Sequence, residues 1–448
     1  MPGPLTLTRD PQNGWLTGIS VGHVVETLIH DAYGEVIERN VVVDGSALMT
    51  VAYSRDLLGR IVEKTETLNG ITHVTGYDYD LAGHLRDVYL DSDLALHIDH
   101  DENGNPLARV TPDSVVEGHF DAQDRLLFQE DLAFAYDDAG TLQSRTDTAT
   151  GDTTNYGYDD LGNLRQVTLP GGTVIDYVVD GLGRRVGKKV DGALVKGWLY
   201  RDRLQPAAEL GATGAIVARF IYGDKINVPE IMLREGVAYR LVSDHVGSVR
   251  LVVNAATGAI AQRIDYDAFG RVLLDTNPGF QPFGFAGGLY DPDAQLVRFG
   301  ARDYDAEAAR WTSKDPLLFD GGDMNLYSYS AGDPVNRVDP MGKAVVILPL
   351  FPLISGEMVV AATAATVGVW AIWEGICAMM KPTVAIDEAN PDSDDYQEAC
   401  LGKLWLCQGQ ADQPVWNQAD FGKKKDCAAC YRHCMNEKGI WPYDKCPE

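Results

Sequence analysis

Tyr136-Asp137-Asp138-Ala139-Gly140-Thr141-Leu142 and, 22 residues on, Tyr158-Asp159-Asp160-Leu161-Gly162-Asn163-Leu164 are two copies of one signature: an aromatic residue, an aspartate, a glycine three positions later and an aliphatic residue two beyond that. Variants of it occur at Arg55-Asp56 to Ile61, Tyr79-Asp80 to Leu85, His100-Asp101 to Asn105, Phe120-Asp121 to Leu126 and Val179-Asp180 to Arg184. The aspartates are spaced by 24, 21, 20, 16, 22 and 21 residues. A period of about twenty fits one β-hairpin per unit.

The spacing has a physical cause. Aspartate at the first and glycine at the fourth position suit a type I turn closed by a left-handed bulge residue. The carboxylate accepts from the turn amides, and glycine supplies the positive φ. The flanking aromatic and aliphatic residues then share one face of a sheet. Alternation along Gly192–Tyr200 and Tyr239–Val246 also reads as strands with one apolar face. The fold expected is mainly β, a long, continuous, antiparallel sheet.

The chain of 448 residues carries a net charge of -27, and both the part up to Lys343 and the part beyond it are acidic. Neither offers the positive field that phosphates require, so no nucleic-acid partner is expected. All seven cysteines lie at or after Cys377, so the body is built without staples and the tail has a chemistry of its own. The opening residues lack a basic stretch followed by an apolar one; no signal peptide is read there, and export is expected by a non-classical route.

The repeats resemble the YD repeats of the Rhs family, which also includes the C components of insecticidal toxin complexes and the teneurins. The resemblance implies a spiral β-shell around a cavity. Family members are usually much longer, which implies a partial β-shell here, with a second chain completing it as one expectation. Tyr239 to Val252, Tyr266-Asp267-Ala268-Phe269-Gly270, Phe299 to Asp305, Arg310 to Pro316, Asn325 to Tyr329 and Asp333 to Gly342 are similar to the Rhs repeat-associated core, in order over about 100 residues. The chain divides accordingly into a YD-repeat segment (1–238), the core (239–343), an apolar helical segment (344–381) and a cysteine-rich variable domain (382–448).

In relatives the core plugs the shell, and many cut their own chain just after the DPxG motif through an aspartyl-protease-like site. The resemblance implies Asp303 and Asp315 as the two carboxylates, Arg302 as the charge that biases their titration, and Asp339, Pro340, Gly342 and Lys343 as the cleavage region. Asp305 competes for either carboxylate role. Paired carboxylates suit this chemistry because they cannot both ionise cheaply: one stays protonated as acid while the other activates water. Two departures bear on it. Lys343 stands where relatives usually carry leucine, and Ala306-Glu307-Ala308-Ala309 replaces the usual Pro-Glu-x-Gly turn. As plain residues, these aspartates could equally cap hairpins.

Beyond the core, 344–373 carries one ionisable residue, Glu357. Its longest unbroken apolar run, Met358 to Trp373, falls short of the roughly 20 residues that span a bilayer. It reads as a helix inside the shell, a membrane-inserting segment or an anchor. In the tail, Cys400 and Cys407 are seven apart, as are Cys427 and Cys434. On two helices this spacing suits an α-hairpin stapled by Cys400–Cys434 and Cys407–Cys427, with Cys430–Cys446 holding the end. The rival is a zinc site of Cys427, Cys430, Cys434 and Cys446. No cofactor is expected.

Three functions are open to such a chain. The first is an Rhs-type polymorphic toxin, in which shell and core carry, and by self-cleavage release, a variable effector; an immunity protein and a secretion-machine component are then the expected partners, in bacterial competition or against a host. The second is a non-catalytic cell-surface binding module. The third is a membrane-active toxin working through 344–373.

Overall fold

The computed structural model describes residues 4–347. Within them a 26-stranded sheet runs from Thr6–Arg9 to Val272–Asp275. Each strand pairs antiparallel with the next in sequence, as in Ser46–Arg55 with Ile61–Leu68, Thr153–Tyr158 with Leu164–Thr168 and Val237–Ser243 with Val249–Asn254. The expected mainly β class and continuous meander are what the structure has. The sheet passes through residue 238 without a break, so the 239–343 segment supplies its last strands together with the smaller elements beyond them.

The two ends of each hairpin are built differently. At the Asp159 turn, Asp159 Oδ1 accepts from Leu161 N at 3.1 Å and Asn163 N at 2.9 Å, and Gly162 N donates to the Asp159 carbonyl at 2.9 Å. Gly162 takes φ 77°, and the register slips by one residue between Gly157 and Tyr158, the bulge that the spacing predicts. The opposite ends of several hairpins are two-residue turns such as Asp44-Gly45, Asn69-Gly70 and Asp191-Gly192, with both residues at positive φ.

Neighbouring repeats are coupled through the same signature. Arg60 pairs with Asp56 at 2.7 Å and lies 4.5 Å from the Tyr79 ring centre, while the Tyr79 hydroxyl donates to the Ile61 carbonyl at 2.6 Å. Arg184, Asp180 and Tyr200 repeat the arrangement. The aliphatic residues Ile61, Leu85, Leu126, Leu142 and Leu164 are all buried.

The sheet also comes back on itself. Val24, Val41, Met49 and Val51 share one apolar cluster with Val242, Leu251 and Val253. Around that seam, His23 N donates to the Ala255 carbonyl at 2.8 Å, and Arg250 forks onto both oxygens of Glu66 at 2.9 Å. Deeper in it, Glu26 bonds Arg39 and Arg240, and Arg240 reaches Glu230 at 2.5 Å, all four buried. A curved, shell-like wall is the result.

After Asp275 the chain changes character. Leu289–Asp291, Leu296–Phe299, Arg302–Asp305 and Arg310–Trp311 form a small second sheet. It is centred on Phe285, Phe299, Tyr304, Trp311 and Tyr329, whose ring centres lie 4.5 to 6.3 Å apart where they touch. This plug is fastened to the repeat turns one after another. Asn336 Oδ1 accepts from Ile61 N at 2.8 Å, Asn325 Nδ2 donates to Asn105 Oδ1 at 2.7 Å, and the Tyr327 hydroxyl donates to the Gly140 carbonyl at 2.7 Å. Arg298 donates to Asn163 Oδ1 and to the Gly183 carbonyl.

Val346–Ile347 pair as a short strand with Arg337–Val338. The helical segment expected from 344 therefore begins as strand, as the β-branched Val345-Val346-Ile347 run favours. The remainder of that segment, the Cys400–Cys434, Cys407–Cys427 and Cys430–Cys446 pairings, and the rival zinc set all lie outside the described residues. Among the described residues no helix is long and apolar enough to cross a membrane.

Candidate functional site at the end of the core

Arg302 is where the parts of the core converge. Its Nη2 lies 2.7 Å from Asp315 Oδ2 and 2.9 Å from Asp339 Oδ2, and its Nε donates to the Gly342 carbonyl at 2.7 Å. Asp339 Oδ1 accepts from Lys343 N at 3.0 Å. One guanidinium thus joins two carboxylates to the carbonyl of the Gly342–Lys343 bond, while the second carboxylate also holds the amide of that bond.

Each partner is fixed by its element. Arg302 opens the strand Arg302–Asp305, with its guanidinium 4.1 Å from the Trp311 ring centre. Asp315 closes a turn, its Oδ1 accepting from Leu317 N at 2.7 Å and its own amide donating to the Leu326 carbonyl at 3.0 Å. Asp339 starts the turn that ends at Gly342, whose φ of 62° suits glycine. A Cβ there would stand 2.4 Å from the Phe299 carbonyl, so no larger residue fits without displacing backbone.

Burial raises the Asp315 carboxyl to about 6, against the opposing pull of Arg302. Burial raises Asp339 as well, again opposed by Arg302, and the same burial lowers Arg302 itself. The two acids thus hold a proton more readily than free aspartates do. A cavity of about 450 Å³ opens beside them, lined in part by Arg302, Asp315, Pro340, Met341 and Lys343. It brings solvent space to Asp315 and to Lys343.

Asp303 is placed otherwise. Its two oxygens are taken by Arg185 at 2.7 Å and Arg298 at 2.8 Å, both buried. The structure therefore joins Arg302, Asp315, Asp339, Gly342 and Lys343, and gives Asp303 a cationic clamp between shell and core. Asp305 caps the turn after its strand through Glu307 N and Ala308 N and faces Arg145 at 3.5 Å. Sequence reading had no signal for Arg185 and Arg298, which lie 118 and 5 residues from Asp303. Asp339 was legible only as part of the cleavage region, because its reach to Arg302 depends on how the chain turns back at Gly342.

Comparison with known proteins agrees with the shell-like wall. The Teneurin YD-shell family model matches residues 2–335. The chain belongs to this family. Teneurin-3 of Danio rerio is 27% identical over 339 residues, 71% of this chain and 12% of its own length. Teneurin-4 of Homo sapiens is 29% identical over the same shares. Double-stranded DNA deaminase toxin A of Burkholderia cenocepacia (strain H111) is 29% identical over 67% of this chain and 23% of its own length. The chain thus corresponds to a small part of each curated relative. The solved TcdB2-TccC3-Cdc42 complex overlaps 76% of this chain and 21% of its own, at 17% identity and a TM-score of 0.41. The YD-shell match includes Arg302 and Asp315 and stops before Asp339 and the Gly342–Lys343 bond.

Proposed function

We propose that this YD-shell chain is a toxin carrier whose core cuts the Gly342–Lys343 bond and so frees the variable residues beyond it. The observation that carries the reading is the Arg302 node, where two proton-holding carboxylates and the carbonyl of one peptide bond share a guanidinium. The likeness to a bacterial toxin supports the carrier role.

In this reading Asp315, as carboxylate, takes a proton from a water in the adjoining cavity, and the oxygen attacks the Gly342 carbonyl carbon. Arg302 Nε stabilises the negative charge that develops on the carbonyl oxygen. Asp339, carrying the proton of the pair, gives it to Lys343 N as the C–N bond breaks. The products are a carboxyl at Gly342 and a free amine at Lys343. Asp303 is then a positioning residue: its clamp to Arg185 and Arg298 sets the strand that presents Arg302. The freed segment is the effector, matched in the producing cell by an immunity protein and exported to the surface or medium by a secretion machine. The open edges of Thr6–Arg9 and Val272–Asp275, each paired on one side only among the described residues, would accept a further chain that completes the shell.

The test is a denaturing gel of purified full-length chain. Two bands in the wild type that merge into one in Asp315→Asn and in Asp339→Asn support the proposal. Asp303→Asn is expected to slow the cut without abolishing it. A single intact band in the wild type would leave a carrier or binding module without scission.

A further inference from the structure

The repeats provide their own internal control, and one of them departs from it. In the Asp56 and Asp180 turns, the residue after the glycine is an arginine lying over the tyrosine of the next repeat. In the Asp80 turn the equivalent residue is His84, and the aromatic that opens the next repeat is His100. The two imidazoles face each other with ring centres 5.0 Å apart. Asp80 keeps its turn role through Oδ1, which accepts from His84 N at 2.9 Å, and turns Oδ2 to His84 Nδ1, also at 2.9 Å. One carboxylate oxygen and one nitrogen from each histidine lie within 4.8 Å of one another, and all three residues are half-buried.

The surroundings are shaped for these rings. A Cβ at Gly104 would stand 3.0 Å from His84 Nε2, and one at Gly332 would stand 2.7 Å from His84 Cδ2. The His84 ring is therefore seated between a shell turn and the plug, where no larger residue fits at either glycine. A cavity of about 30 Å³, lined in part by His100, Gly104, Asn105, Arg109, Arg310 and Gly332, adjoins His100 and has room for a water. A neutral imidazole offers one nitrogen lone pair, and a nitrogen of each ring lies within 4.8 Å of the other donors. An aspartate and two imidazoles beside a water-sized space form a donor set suited to zinc.

We infer that Asp80, His84 and His100 bind a divalent transition metal, zinc by preference, at the seam between the repeat wall and the core. The metal displaces the proton between Asp80 Oδ2 and His84 Nδ1, and the two rings close on it by small rotations, since donors around one tetrahedral zinc are about 3.3 Å apart. Water in the adjoining cavity supplies the fourth position. The site then links two successive repeats and braces Gly332 of the plug, where other repeats use an arginine and a tyrosine. It is independent of the scission proposed above.

The test compares full-length wild type with the double variant His84→Arg/His100→Tyr, which installs the pair that Arg60 and Tyr79 form one repeat earlier. Free thiols are alkylated first, so that tail cysteines bind no metal. Zinc titration by calorimetry should give one site in the wild type and a loss of more than about 100-fold in affinity in the variant, beyond the 10–100-fold that outer-shell partners alone cost. Zinc should raise the melting temperature of the wild type and leave the variant unmoved. Should the double variant not fold, His100→Gln removes one ligand at similar size and must weaken binding too. Equal zinc binding in wild type and variant, or none in the alkylated wild type, overturns the inference.

Discussion

Arg302 shows how much can rest on one side chain. Arg302→Lys would keep the charge and lose the fork that engages Asp315, Asp339 and the Gly342 carbonyl together. Scission should slow by roughly 100-fold or more, the loss typical of one oxyanion donor, as read from the decay of full-length chain after synthesis. The pH dependence comes from the raised Asp315 carboxyl. As the base of the reaction, Asp315 must be ionised, and it becomes so as pH rises through about 6. Freshly made chain should therefore cleave faster at about pH 7 than at about pH 5. Ala309 offers a test of stability: it occupies φ 57°, a left-handed position that favours glycine. Ala309→Gly should stabilise the fold by about 1 kcal/mol, the left-handed penalty less the extra freedom of glycine in the unfolded chain. A higher melting temperature would be the sign.

At the scale of the element, the turn aspartate and its neighbour make a clean contrast. Asp159 accepts from two turn amides, whereas Asp160 beside it is exposed. Asp159→Ala should destabilise by about 1–2 kcal/mol and Asp160→Ala by less than about 0.5 kcal/mol, checked by the shift in melting temperature. This level was the most legible in the sequence. An Asp-x-x-Gly spacing dictates a turn by local chemistry, and seven copies fixed strand number and direction over that stretch. The turn at Asp31, with Gly34 at φ 90°, obeys the same rule. The two-residue turns at the other end, such as Asp191-Gly192, also carry a local signal. What sequence could not supply was the pair of cations on Asp303, since Arg185 lies 118 residues away and Arg298, 5 away, belongs to no motif that marks it.

For the whole molecule, the return of the sheet onto itself depends on a buried charge network. Burial opposes ionisation of Glu26, but Arg39 and Arg240 outweigh it and hold the carboxyl down at about 2. A depressed carboxylate contributes stability that is fully present above its ordinary value of 4.5 and is lost as pH falls toward 2. Acid should therefore loosen the seam between the early strands and those near Arg240. Glu26→Gln should cost about 3–5 kcal/mol, because it leaves buried arginines without their counter-ion; a melt at neutral pH reads it directly. No local pattern announced this network: Glu26 and Arg240 are 214 residues apart and meet only once the wall has come round.

The most direct measurement of the central claim is the intact mass of the purified chain under denaturing conditions. The account predicts two masses, those of residues 1–342 and 343–448, with Lys343 as the new amino terminus, and a single full-length mass for Asp315→Asn. A wild type that stays whole, or a break at another bond that survives Asp315→Asn, would contradict it.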